Sequence, residues 1–328
     1  MASESNPRST KDFVFLYLKG MAMGAADVVP GVSGGTIAFI TGIYQELLDT
    51  IKGFNLSVFK TLKEEGIKAT WQKTNATFLV VLFAGIFTSV ISLAKGITFL
   101  LATYPILLWA FFFGLIVASS LIIGKYIKEW NAKTIGMMIL GAAIAFYITI
   151  AAPSQIPDGL IYIFLSGCIA ICAMILPGIS GSFILLLLGA YATVLGSISG
   201  LVDGIKEFDI QLITKYGLNI SIFMLGCIVG IVSFSNFLSW MFKKAYSLTM
   251  ALLTGFMIGS LNKVWPWKET LETRINSHGA EVPFLQSNVS PFKFEEITGE
   301  LSQLWFALGL CIVGFLVVFV MEKMAASK

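Results

Sequence analysis

Pro30-Gly31-Val32-Ser33-Gly34-Gly35-Thr36 interrupts one apolar run, and Pro177-Gly178-Ile179-Ser180-Gly181-Ser182 interrupts another, 147 positions later (177 − 30). Proline and glycine end a helix, and a serine just past them can cap the next one. Inside a bilayer every backbone N–H and C=O must find a partner, so a broken helix persists only within protein or beside a water-filled cavity. Paired breaks in corresponding halves of a membrane protein are the sequence mark of a binding site near the bilayer midplane.

The surrounding composition sets the class. Of 328 residues, 56% are hydrophobic and 12% charged, with mean hydropathy +0.84. Soluble domains are nearer 25% charged. Repeated apolar stretches of 18 residues or more predict a polytopic all-α membrane protein. The first apolar stretch carries Lys19 and Asp27 and has no clean cleavage site, so no signal peptide is expected, and the polar start reads as a cytoplasmic tail. The single histidine, His278, lies in a polar loop, which argues against a Ser-His-Asp triad and His-based metal sites. Cys168, Cys172, Cys227 and Cys311 sit in apolar segments without accompanying carboxylates and read as buried small side chains. No phosphate-binding loop or dinucleotide fingerprint is present. An enzyme, a cofactor, a metal and a nucleic-acid partner are therefore not expected.

Helix arms at 13–29 and 36–51 flank the first break, and spans follow at about 76–95, 104–124 and 134–152. Arms at 159–176 and 182–199 flank the second, with spans at about 218–240, 245–262 and 303–321. Residues 263–301 form the longest polar connection. With a shift of 147, Gly20, Ala26, Pro30, Gly31, Ser33, Gly34, Ile37, Gly42, Tyr44, Leu48, Ile51 and Gly53 all meet an identical partner. The chain therefore divides into repeats 1–152 and 153–328. The 39 residues of 13–51 are nearly twice what a core of ~30 Å needs at ~1.5 Å per residue, so each break is read as the tip of a re-entrant hairpin. Three full spans per half then make the repeat inverted. Lysine placement agrees: with a cytoplasmic N-terminus, 15 of the 22 basic residues fall inside and 7 outside, and loop 153–158 has none. Both termini are expected in the cytoplasm, the first hairpin entering from that side and the second from outside.

Each tip presents the start of a helix, with free N–H groups and the positive end of its dipole. Ser33, Gly34, Gly35 and Thr36, with Ser180, Gly181 and Ser182, have the composition of an anion site, phosphate above all. Pro30, Gly31, Pro177 and Gly178 supply the breaks. The only arginines are Arg8 and Arg274, outside the apolar segments, so backbone N–H groups and hydroxyls would hold the anion. Asp27 and Glu46 are candidates for proton coupling or for tuning the site, since ionisable groups at membrane depth mark pathways. Asp27 faces Met174 in the second hairpin, so the tips are not equivalent. Lys19 is read as snorkelling to the cytoplasmic surface.

Gly24-Ala25-Ala26-Asp27-Val28-Val29-Pro30-Gly31-Val32-Ser33-Gly34-Gly35-Thr36-Ile37-Ala38, then Gly42-Ile43-Tyr44-Gln45-Glu46-Leu47-Leu48, resembles the signature of the bacterial PopT-type polyprenyl-phosphate translocase family. Ile175-Leu176-Pro177-Gly178-Ile179-Ser180-Gly181-Ser182 resembles its second motif, and the resemblance spans essentially the whole chain. It implies a flippase returning undecaprenyl phosphate from the outer to the inner leaflet of the cytoplasmic membrane, for reuse in cell-wall and surface-glycan synthesis. It places Asp27 where Asn or Asp is expected. The expected partners are the polyprenyl phosphate and membrane lipids, with homo-oligomerisation left open. The alternative reading is a channel or secondary transporter for a small inorganic or organic anion.

Overall fold

The structure, a computed structural model, describes residues 8–29, 32–55, 57–151, 159–275 and 281–326. Pro30, Gly31, loop 153–158 and His278 lie outside them. The first half of the chain runs α1 (Thr10–Val28), α2 (Gly34–Ile40), α3 (Tyr44–Gly53), α4 (Ser57–Glu64), α5 (Gly66–Lys73), α6 (Ala76–Thr103), α7 (Pro105–Gly124) and α8 (Ala132–Ile150). The second runs α9 (Leu160–Ile175), α10 (Gly181–Leu187), α11 (Ala190–Glu207), α12 (Ile210–Lys244) and α13 (Tyr246–Ser260). It continues through β1 (Lys268–Ile275), β2 (Glu281–Asn288), α14 (Pro291–Thr298) and α15 (Leu304–Ala326). Helix starts follow local chemistry. Ser9 and Asp12 form a capping box at α1, Asn131 and Thr134 another at α8, and Pro105 occupies the first turn of α7. Among the described residues α6, α7, α8 and α12 are long and apolar enough to cross a membrane; α9, α13 and Leu304–Val320 of α15 are shorter apolar helices.

The helices pack in four pairs: α1 with α6, α9 with α12, α7 with α15, and α8 with α13. Glycines let each pair close. A Cβ on Gly20 would stand 2.3 Å from Leu82 O, and one on Gly85 2.2 Å from Tyr17 O. At α9–α12 the reciprocal distances are 2.5 Å (Gly167 to Phe223 O) and 2.1 Å (Gly226 to Phe164 O). Gly114 and Gly314 bring α7 to α15, and Gly141 and Gly255 bring α8 to α13, in the same reciprocal way. Small residues at membrane helix contacts are expected, because lipid offers no hydrophobic drive to association and close van der Waals packing must supply it. α7 and α13 are buried along most of their length and form the centre, while α6, α8, α12 and α15 expose Phe87, Ile139, Ile228 and Trp305 on the periphery.

Replacing Gly114 with Ala pushes a methyl group 1.9 Å from the Cys311 carbonyl oxygen. The α7–α15 pair must separate, at a cost of about 1–3 kcal/mol. Thermal unfolding of the purified protein is expected to fall by several degrees, whereas Gly96→Ala, whose Cβ meets nothing within 4 Å, leaves it unchanged or raised.

One expectation needs correction. Residues 36–51 and 182–199 are not single arms. α2 ends where Gly42 adopts φ +75°, with Ile43 N–H donating to Ala38 O (3.0 Å) and Gly42 N–H to Phe39 O (3.2 Å), the bonds of a Schellman turn. α10 ends at Gly189 (φ +72°), and α11 leaves it at 107°. The repeated Gly-x-Tyr therefore marks a second break in each half; a short apolar helix reads alike on both sides of a turn. The described residues are otherwise helical apart from one small hairpin. In the 263–301 connection β1 pairs antiparallel with β2, Lys268 opposite Asn288. Trp267, Val289 and Phe294 seat this hairpin against Ile106 and Ala110 of α7 and Ala307 of α15. Its strands alternate irregularly between apolar and polar residues, so no period-2 pattern announced them.

Candidate functional site

The two breaks, far apart in sequence, meet. Ser33 Oγ donates toward Met174 O (3.1 Å) and Leu176 O (3.3 Å), at the end of α9. Gly178 N–H donates to Thr36 Oγ1 at 2.9 Å. Gly35 lies so close beneath α9 that a Cβ there would be 2.5 Å from Ile175 O. Ser33, Thr36 and Ser180 are all buried. The hydroxyls of Ser33 and Thr36 thus answer backbone groups freed by the other break, which is how irregular backbone is tolerated inside an apolar protein.

The first tip is closed by its own side chains. Asp27 Oδ1 accepts from Gly34 N–H at 2.6 Å, and Ser33 Oγ accepts from Gly35 N–H at 3.1 Å. At the far end of α2, Lys19 Nζ donates to Thr41 O at 2.8 Å. Lys19, read from the sequence as snorkelling, here caps a helix C-terminus. Lys19 and Asp27 are eight residues apart on α1, about 12 Å, and seven-residue α2 is about 10.5 Å long. α1 therefore sets a cation at the negative end and an anion at the positive end of a helix too short to be stable alone. The sequence signal for this is an acid and a base spaced to match the helix that follows.

The second tip lacks both groups. Ser166 and Met174 stand at the positions equivalent to Lys19 and Asp27. Ser180 Oγ and Ser182 Oγ are 3.0 Å apart, and Ser180 makes no cap to α10. Among the described residues the N–H groups of Gly181, Ser182 and Phe183 have no hydrogen-bond partner. Ser180 and Gly181 are buried, while Ser182 is exposed. Gly178 takes φ +84° and lies against α13, where a Cβ would meet Ser260 Oγ at 2.8 Å and Phe256 O at 2.9 Å.

Glu46 is not brought to the tips. It pairs with Arg8 and accepts from Asn75 Nδ2 (3.0 Å), tying α3 to the N-terminal segment and the start of α6. One turn away, Asp49 Oδ1 accepts from Ser239 Oγ (3.0 Å) at a cavity of about 240 Å³. Gln45, Lys243 and Tyr246 also line it. Sequence reasoning passed over this cavity because its walls come from α3, α12 and α13, which only the folded chain brings together.

Apolar helices in glycine-sealed pairs, with two broken segments joined through buried hydroxyls, define a multi-pass α-helical membrane protein. Residues 23–282 match the VCA0040-like family, described as undecaprenyl phosphate translocase-like. The chain is 48% identical over 316 residues to the polyprenyl-phosphate transporter of Vibrio cholerae, covering 96% of this chain and 98% of that one. It is 34% identical over 261 residues to the polyprenyl-phosphate transporter of Staphylococcus aureus, covering 76% and 85%. No solved structure matches. The protein belongs to the undecaprenyl phosphate translocase-like family.

Proposed function

We propose that this protein is a flippase that carries polyprenyl phosphate, chiefly undecaprenyl phosphate, from the outer to the inner leaflet of the cytoplasmic membrane. The observation that carries the reading is the junction of the two breaks, Ser33 and Thr36 against Met174–Gly178. It sets backbone N–H groups and hydroxyls at one point inside an apolar protein, where a phosphate needs substitutes for its lost water. The isoprenoid tail stays in the hydrocarbon beside the helices, so only the head group requires a polar path.

The same reading includes an inverted repeat with re-entrant hairpins. It is supported by the helix pairs: if α1 corresponds to α9, α6 to α12, α7 to α13 and α8 to α15, each pair maps onto another pair. Gly85 and Gly226, like Gly114 and Gly255, are 141 positions apart and hold equivalent contacts. In this arrangement the uncapped second tip faces outward and receives the phosphate. The first tip becomes available when Asp27 and Ser33 release the α2 amides, and the Asp49–Lys243 cavity lies on the cytoplasmic exit.

Purified protein in liposomes is expected to move undecaprenyl phosphate between leaflets without ATP, with a pH gradient changing the rate if protons are coupled. Leaflet-accessible lipid phosphate is measured over time, beside chloride and inorganic phosphate fluxes. Ion flux without lipid movement would establish the anion-channel alternative instead.

A further inference from the structure

The segment between α13 and the start of β1 carries two cations that no role above uses. Lys263 Nζ rests 4.0 Å from the centroid of the Phe183 ring, and Lys268 Nζ rests 3.9 Å from that of Trp109. Lys268 Nζ also donates to Lys263 O at 2.7 Å. Both side chains are partly buried, and among the described residues neither has a carboxylate within ion-pair distance. Burial lowers the Lys263 ammonium to about 8, and burial with the neighbouring Lys263 charge holds Lys268 well below the ordinary lysine range. Two adjacent cations without a counter-ion are costly, and aromatic faces return only part of that cost. Such a pair makes physical sense when an anion completes it.

Position narrows the anion. Phe183, under Lys263, is in the first turn of α10, next to exposed Ser182 and the N–H groups that lack partners. Asn262 and Asn288 close the other side of the loop through the Asn288 Nδ2 bonds to Asn262 O (2.7 Å) and Oδ1 (2.9 Å). We infer that Lys263 and Lys268 form a receiving site for a phosphate group on the outer side of the protein, ahead of the hairpin tips. Lys263 keeps all three N–H donors free for phosphate oxygens, and Lys268 keeps two. The lipid source of that phosphate rests on the transport reading; the phosphate chemistry does not.

The test is binding to the full chain in phosphatidylcholine nanodiscs, with undecaprenyl phosphate and inorganic phosphate as separate probes. Lys263→Gln/Lys268→Gln is expected to weaken binding of the lipid phosphate by about tenfold or more, the loss of two charge-assisted contacts. Its thermal unfolding is expected to stay level or rise, because the charges removed are unpaired. Lys268→Met keeps the stem on Trp109 and serves if the double variant does not fold. Lysine-dependent binding of inorganic phosphate alone upholds the site and removes its lipid source. Wild-type binding of the lipid that the double variant retains in full overturns the lysine site while leaving the transport reading intact. Wild-type binding of neither probe overturns the site as well.

Discussion

Gly35→Leu is expected to reduce lipid translocation by on the order of a hundredfold or more while the protein still reaches the membrane folded. The added Cβ begins 2.5 Å from Ile175 O and 3.0 Å from Met174 O, both main-chain atoms that cannot swing aside. Overpacking of this kind costs about 1–3 kcal/mol, and a larger branched chain exceeds the lower bound. The cheapest relief is to part the two broken segments, because α2 and α10 are seven-residue helices held at their ends, whereas the long helices are locked in their own pairs. Parting them breaks the Ser33 bonds to Met174 and Leu176 and the Gly178 bond to Thr36. About 3 kcal/mol against the assembled junction is a population loss of roughly a hundredfold. The measurement is leaflet exchange in liposomes, with thermal unfolding as the folding control. Gly136→Leu, whose Cβ meets nothing within 4 Å, is the matched substitution expected to transport normally. Normal exchange by Gly35→Leu would show that the tips need not touch.

Much of this architecture is visible in the chain because lipid makes sequence strict. Spanning helices declare themselves by length, and the structure moves the expected 76–95 and 218–240 only outward, to Ala76–Thr103 and Ile210–Lys244. Pro177-Gly178 and the Ser-Gly that follow each break stand out because polar and helix-breaking residues are conspicuous in an apolar run. What stays hidden is tertiary pairing. Nothing local distinguishes Ser33 as a cap from Ser33 as a bridge to the end of α9; it is both. Gly42 and Gly189 look like tolerable helix glycines until their positive φ is seen. Lys19 looks like a snorkelling base because its partner, the carbonyl of Thr41, exists only once α2 has folded back along α1. The Asp27/Met174 mismatch shows in the alignment of the repeats, but its meaning, one capped tip and one uncapped, needs the 2.6 Å bond to Gly34.

That bond makes opposite demands on two substitutions of Asp27. As a cap, the side chain must supply an acceptor to Gly34 N–H, and Asn supplies one of the same reach. As a proton carrier, it must titrate, and Asn cannot. The cap assignment predicts that Asp27→Asn keeps transport within about threefold of wild type, since the lost attraction to the helix dipole (about 0.3–1 kcal/mol) is small. Asp27→Ala removes the cap and leaves the Gly34 N–H unsatisfied, at about 1–3 kcal/mol. Transport by Asp27→Ala is therefore expected to fall between about fivefold and a hundredfold. The two variants should be compared for leaflet exchange with and without a pH gradient. Equal loss in both, together with loss of any gradient dependence, would make Asp27 a proton carrier. Survival of the Asn variant alone would make the charge dispensable and the acceptor essential, and would leave the coupling group to be sought among the remaining ionisable residues. Asp49, bonded to Ser239 beside the cavity between α3, α12 and α13, is then the first to test.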